Sequence, residues 1–207
     1  MSRFKFRPTV PRILALGYLG VILLGSFLLS LPISSKTGEW TPYINALFTS
    51  TSATCVTGLI AYDTFMHWTA FGQVVIILLI QVGGIGFMTV VTLFSFALGR
   101  RIGLYERVIL AQSAGAMGRS GVVRLVKRII IFTFSVELAG AFLLMIRFIP
   151  EFGAGRGIWF SVFHSISAFC NAGFDLMGAK GTAFASLTSY SGDALVNLTI
   201  CALIVVG

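Results

Sequence analysis

Charge is what this sequence has least of. Asp, Glu, Lys and Arg make up only 11% of its 207 residues, whereas an ordinary soluble domain carries about a quarter. With 57% hydrophobic residues and a mean hydropathy of +0.94, a water-soluble globule is excluded. Histidine is nearly absent, with two residues, and the seven acids are scattered. No His-Glu-x-x-His, Gly-x-Ser-x-Gly, phosphate-loop or dinucleotide glycine pattern occurs, so the common hydrolase and nucleotide-dependent chemistries lose their signatures. Three cysteines (Cys55, Cys170, Cys201) lie in apolar surroundings, which predicts neither a disulfide framework nor a metal site.

The charge that is present is mostly positive, with a net of +8. Its placement argues against nucleic-acid binding. Arg3, Lys5, Arg7 and Arg12 open the chain, and seven more Lys or Arg fall between Arg100 and Arg128. Basic loops flanking apolar spans orient a protein in a lipid bilayer, with the basic side in the cytoplasm. The expected location is therefore the cytoplasmic membrane, multi-pass, with the N-terminus inside.

Residues 13–33 give 21 positions without a charge, enough to cross about 30 Å of hydrocarbon. Residues 40–62 are also uncharged but hold Pro42, Asn45 and seven Ser or Thr. Residues 68–99, 129–149 and 194–207 read as further spans, the last one short. If 40–62 crossed fully, the basic stretch 100–128 would end up outside, against the positive-inside bias. A re-entrant dip at 40–62 repairs the parity, and the same holds for 156–175. Non-helical backbone at membrane depth survives only where protein or water covers it, so a dip implies a pore. The predicted fold class is all-α and integral to the membrane, built of repeated helix–pore loop–helix units. Residues 1–99 form the first unit, 100–128 a basic cytoplasmic linker, and 129–207 a second unit.

A repeat supports this reading. Phe48–Gly58 and Phe163–Gly173 align without a gap, 115 residues apart, and agree at six of eleven positions. In each, a short helix (about 42–54 and 156–169) should point its C-terminal end, which carries partial negative charge, at a cation within the membrane. The residues that follow would aim backbone carbonyls at the ion: Val56, Thr57, Gly58 and Leu59 in one unit, Asn171, Ala172, Gly173 and Phe174 in the other. Glycine suits such a bend because a Cβ resists the left-handed conformation. Side chains around it vary freely when the ligands are main chain.

Other residues carry weaker readings. Glu137 is the sole acid within a predicted span. It is either a functional intramembrane carboxylate or a structural partner for a polar group on a neighbouring helix. Asp175 either draws cations to the pore mouth or is a solvated loop acid. His164 reads as hydrogen-bonded core. Cys55 and Cys170 read as small buried packing residues behind the filter, and Gln81 with Gly83, Gly84 and Gly86 as a weak point in a long helix, either a packing notch or a hinge, with packing favoured.

The stretches Thr51-Ser-Ala-Thr-Cys-Val-Thr-Gly-Leu59, Asn171-Ala-Gly-Phe-Asp175 and Gln81-Val-Gly-Gly-Ile-Gly-Phe87 resemble the Trk/Ktr/HKT potassium transporters, most closely the bacterial Ktr membrane subunit, over essentially the whole chain. The resemblance implies four helix–pore–helix repeats around one pore, each giving one filter glycine, with Gly58 and Gly173 the first and second. Glycine at both implies selectivity for K+ as the cargo, with no other cofactor; Na+ as a stimulating ion stays open. It also implies a homodimer on a cytoplasmic nucleotide-binding regulatory ring, with 100–128 as a contact. Length departs from the family, since one complete unit and most of a second are present. Two filter segments cannot ring an ion, so further repeats or a second copy are needed. The alternatives are a two-filter channel subunit that dimerises, or a truncated, non-conducting membrane subunit.

Overall fold

The computed structural model describes residues 10–86, 89 and 122–207. The far half of the predicted span 68–99 and most of the linker 100–128 lie outside the described residues. Seven α-helices are seen among those residues: α1 Val10–Ser30, α2 Tyr43–Thr54, α3 Thr64–His67, α4 Ala70–Ile85, α5 Val122–Phe152, α6 Ala154–Phe169 and α7 Ala194–Val206. Short 3-10 turns occupy Pro32–Ser34, Met177–Lys180 and Ser186–Tyr190. The one pairing of strand type among the described residues is an isolated bridge between Ser35 and Trp68. Helix α5 starts at Val122, within the stretch read as linker; its Arg and Lys there are good helix formers.

Two helices, α1 over Pro11–Ser30 and α5 over Arg124–Phe152, are long and apolar enough to cross a bilayer. Their faces are inverted relative to a soluble protein. On α5 the buried stripe is Val126, Ile130, Thr133, Glu137, Ala141, Leu144 and Phe148, recurring every three or four residues. The opposite face exposes Ile131, Phe132, Phe134, Leu138, Phe142 and Ile146. On α1, Ser26 and Ser30 are buried while Leu16, Leu19, Leu24 and Phe27 are exposed. Polar groups turned inward and large apolar ones outward suit a lipid solvent, where an exposed hydroxyl or carboxyl is costly and an exposed Leu is not.

The duplication is three-dimensional. Gly25 of α1 sits so close to α2 and α4 that a Cβ would lie 2.6 Å from Ser50 Oγ and 2.8 Å from Leu79. Gly140 of α5 meets Ser165 and Leu203 in the same way, at 2.7 and 2.8 Å. Ser50 Oγ donates to the Ile22 carbonyl at 2.8 Å, and Ser165 Oγ to the Glu137 carbonyl at 2.5 Å. The first two helices of each unit thus correspond at an offset of 115, and the third at 124. The nine extra residues lie between Gly173 and α7, on the loop that carries the two later 3-10 turns.

The end of each first helix is tied to the start of each third helix, by different chemistry. In the first unit Thr69 caps α4 and donates its hydroxyl to the Ile33 carbonyl at 2.7 Å. In the second, Asp193 caps α7 and takes a 2.7 Å bond from Arg147 Nε. Arg147 also pairs with Glu151, which holds Lys180 at 2.6 Å and the Tyr190 hydroxyl at 2.9 Å.

Candidate functional site

Both pore helices end the same way. Cys55 closes α2; beyond it the Val56 N–H donates to the Ala53 carbonyl at 3.3 Å and the Thr57 N–H to the Ser52 carbonyl at 2.9 Å. Cys170 closes α6; the Asn171 N–H reaches Ala168 at 3.0 Å and the Ala172 N–H reaches Ser167 at 2.7 Å. This is the Schellman pattern, whose first residue past the cap is left-handed and normally glycine. Here that residue is Val56 (φ +56°) or Asn171 (φ +58°). Asn tolerates the conformation, but a β-branched Val there is strained and persists only where its surroundings hold it. Two residues later Gly58 (φ +74°) and Gly173 (φ +73°) return to positive φ.

The two bends meet. A Cβ on Gly58 would lie 2.8 Å from the Ala172 carbonyl oxygen and 3.4 Å from Gly173 Cα; one on Gly173 would lie 3.3 Å from Gly58 Cα. Glycine is required at both for two separate reasons, backbone angle and space. Of the eight candidate filter residues, Thr57, Leu59, Asn171 and Gly173 are exposed, Val56 and Gly58 half-buried, and Ala172 and Phe174 buried. The Phe174 carbonyl accepts from Ser167 Oγ at 2.6 Å, and Thr57 Oγ1 bonds Ser52 Oγ at 2.9 Å. Hydroxyls of the pore helices therefore brace both bends from behind.

The inner helices seat directly beneath the pore helices. A Cβ on Gly83 of α4 would strike the Thr54 carbonyl, and one on Gly207 would strike the Phe169 carbonyl. Gly84, one position on, faces the other unit, where its Cβ would strike the Cys170 side chain. The glycine pair is thus a notch on two sides, whereas Gly86 has open space beside it and ends the helix at φ +88°. Cys170 is buried, but Cys55 is exposed, which corrects the expectation that both sit buried behind the filter.

Glu137 is buried on α5, and its Oε2 accepts from Gln81 Nε2 at 2.8 Å; Gln81 Oε1 in turn accepts from Cys170 Sγ at 3.3 Å. Its Oε1 has no partner among the described residues. Gln81 links the carboxyl to the residue preceding Asn171. Neither the pairing nor the partner was legible in the sequence, because 56 residues separate the two. His164 donates from Nδ1 to the Phe160 carbonyl at 2.7 Å, and its Nε2 accepts from the Leu176 N–H at 3.2 Å. With both nitrogens so engaged the ring is a neutral strut. Asp175 is half-buried and accepts the Met177 N–H at 2.8 Å, so it caps the turn that leaves the second bend. No cluster of three metal-ligating side chains occurs among the described residues. What the site offers chemically is oriented main-chain oxygen and helix C-termini, the equipment for holding a desolvated cation rather than for bond-making.

A duplicated three-helix unit, apolar on its outer faces and bent at paired glycines within, defines a helical membrane protein of duplicated architecture. Residues 18–207 match the TrkH family model, described as a cation transport protein, and the chain belongs to that family. It is 41% identical over 206 residues to the potassium/sodium uptake protein NtpJ of Enterococcus hirae, covering all of this chain and 44% of that protein. It is 46% identical over 202 residues to the Ktr system potassium uptake protein B of Bacillus subtilis, covering 97% of this chain and 43% of that protein. The namesake from Vibrio alginolyticus is 38% identical over 206 residues. The chain therefore spans somewhat under half the length of these relatives.

Proposed function

We propose that this chain supplies two of the filter segments of a potassium-uptake pore in a Ktr/Trk-type system. The observation that carries this is the meeting of two equivalent bends, Val56–Leu59 and Asn171–Phe174, each positive in φ at its first and third residue. Such alternation turns successive carbonyls toward one side, where they replace the hydration shell of K+, except at Phe174, whose carbonyl is held by the Ser167 hydroxyl. The ion moves down its electrochemical gradient, with no covalent step. Further filter segments complete the ring, since the relatives are more than twice as long. In this reading the N-terminus and residues 100–128 face the cytoplasm, where the basic stretch meets a nucleotide-binding regulatory ring, and the pore-forming protein is a homodimer.

The test uses the complete protein that contains this sequence, in cells stripped of their own potassium uptake. Gly58→Ser and Gly173→Ser should each raise the potassium needed for growth by about tenfold or more, because a side chain meets the facing bend. Growth on micromolar potassium that neither substitution disturbs would remove the filter assignment.

A further inference from the structure

Asp63 looks in sequence like a loop acid outside the membrane. In the fold it is buried, 6% exposed, and both carboxylate oxygens are committed to main-chain donors. Oδ1 accepts the Phe65 and Met66 N–H groups at 2.9 and 2.8 Å, capping α3. Oδ2 accepts the Phe184 N–H at 2.9 Å, from the outer loop of the other unit 121 residues away. Gly178 of the same loop lies against the carboxylate so closely that a Cβ would collide with it. The loop takes left-handed backbone at two residues other than glycine, Phe184 (φ +57°) and Ser186 (φ +51°). Such angles persist only where neighbouring contacts impose them.

The position gives these bonds their meaning. Asp63 follows the first bend by four residues beyond Leu59, and the loop it grips leaves the second bend at Asp175. Deeper in the protein the two units are joined by Trp159 Nε1 donating to Gln73 Oε1 at 2.7 Å and by the Gln81–Glu137 bond. Asp63 adds a charge-assisted clamp between α3 and the loop that leaves the second bend. We propose that Asp63 is a positioning residue: through Phe184 and Gly178 it holds the exit of the second filter segment against the first, and so sets the spacing that discriminates K+ from Na+. The selectivity half of this inference rests on the filter reading above.

The experiment compares Asp63→Asn, Asp63→Ser and Gly178→Ala in the complete protein. Asn and Ser keep an oxygen for α3 but leave nothing to accept the Phe184 N–H. Gly178→Ala keeps every charge and pushes the loop off the carboxylate. Hydrogen exchange should quicken at the Phe184 amide by about tenfold or more in all three, while Phe65 and Met66 stay protected in the two Asp63 variants. Uptake per molecule in the membrane should lose discrimination against Na+ by roughly threefold or more, with abundance preserved. An unchanged Phe184 amide in Asp63→Asn overturns the clamp. Gly178→Ala with normal selectivity beside an impaired Asp63→Asn also overturns it, since loss of charge at the mouth then explains the defect. A parent protein that takes up no potassium at all defeats the filter reading alone, and the exchange measurement still decides whether Asp63 is the clamp.

Discussion

Gln81 donates to Glu137 at 2.8 Å across the boundary between the two units, and the same amide accepts from Cys170. Glu137 occupies the place that Ile22 holds in the first unit, as the shared serine bonds to the Ile22 and Glu137 carbonyls show. One quadrant thus carries a carboxyl where its counterpart carries a hydrocarbon. Glu137 thus has a polar partner on a neighbouring helix, as one of its two readings supposes.

That pairing sets an order among variants. Glu137→Gln keeps an acceptor for Gln81 and should cost less than about 1 kcal/mol in thermal unfolding of the detergent-purified protein. Gln81→Leu strands a buried carboxyl and should cost about 3 kcal/mol or more. The double variant Gln81→Leu/Glu137→Leu should recover much of the loss, because two apolar groups need no partners. A double variant as unstable as Gln81→Leu alone would contradict the pairing.

Gly84 and Cys170 offer a second coupled pair. Gly84→Ala forces a methyl onto the Cys170 side chain and should destabilise by about 1–3 kcal/mol. Cys170→Gly beside it removes the obstacle and should return most of that. Gly83→Ala meets the Thr54 carbonyl instead, and no side-chain truncation can relieve it. The comparison is made by midpoint of thermal unfolding; equal rescue of both alanines would show that the glycines are not held by different neighbours.

The third expectation concerns pH. His67 stacks on Tyr62 at 4.0 Å, meets the Trp68 edge at 4.6 Å and bonds Thr41 Oγ1 at 3.0 Å. Burial holds its pKa below the ordinary 6.5. The unfolded chain therefore binds a proton before the folded one does. Stability is fully present above pH 6.5 and is lost as pH falls through the window beneath it. His67→Gln should shrink the drop in thermal midpoint between neutral and mildly acidic buffer. A pH response unaltered by His67→Gln would place the sensitivity elsewhere.

The repeat was legible because its main-chain geometry demands particular residues. Glycine at 58 and 173 answers a positive φ and a close approach, and small Ser, Ala and Cys answer a crowded helix end. Boundaries were less legible: α5 runs back to Val122 because Arg124, Lys127 and Arg128, read as linker for their charge, are also good helix formers. Cys55 was misread from the likeness to Cys170. The second cysteine is buried by Gly84 of the neighbouring unit, a neighbour that repetition within the motif does not encode. Asp63 was invisible for a related reason, since its partner is a main-chain N–H far along the chain, and a backbone donor leaves no mark on side-chain identity.

The nine residues gained by the second unit fall entirely on the loop between Gly173 and α7. That loop brings Lys180 and Asp193 to the second unit's charged tie with Arg147 and Glu151, where the first unit joins the corresponding helix ends by the Thr69 hydroxyl. The two units therefore present different chemistry at equivalent helix ends, so a ligand that binds this face could tell one from the other.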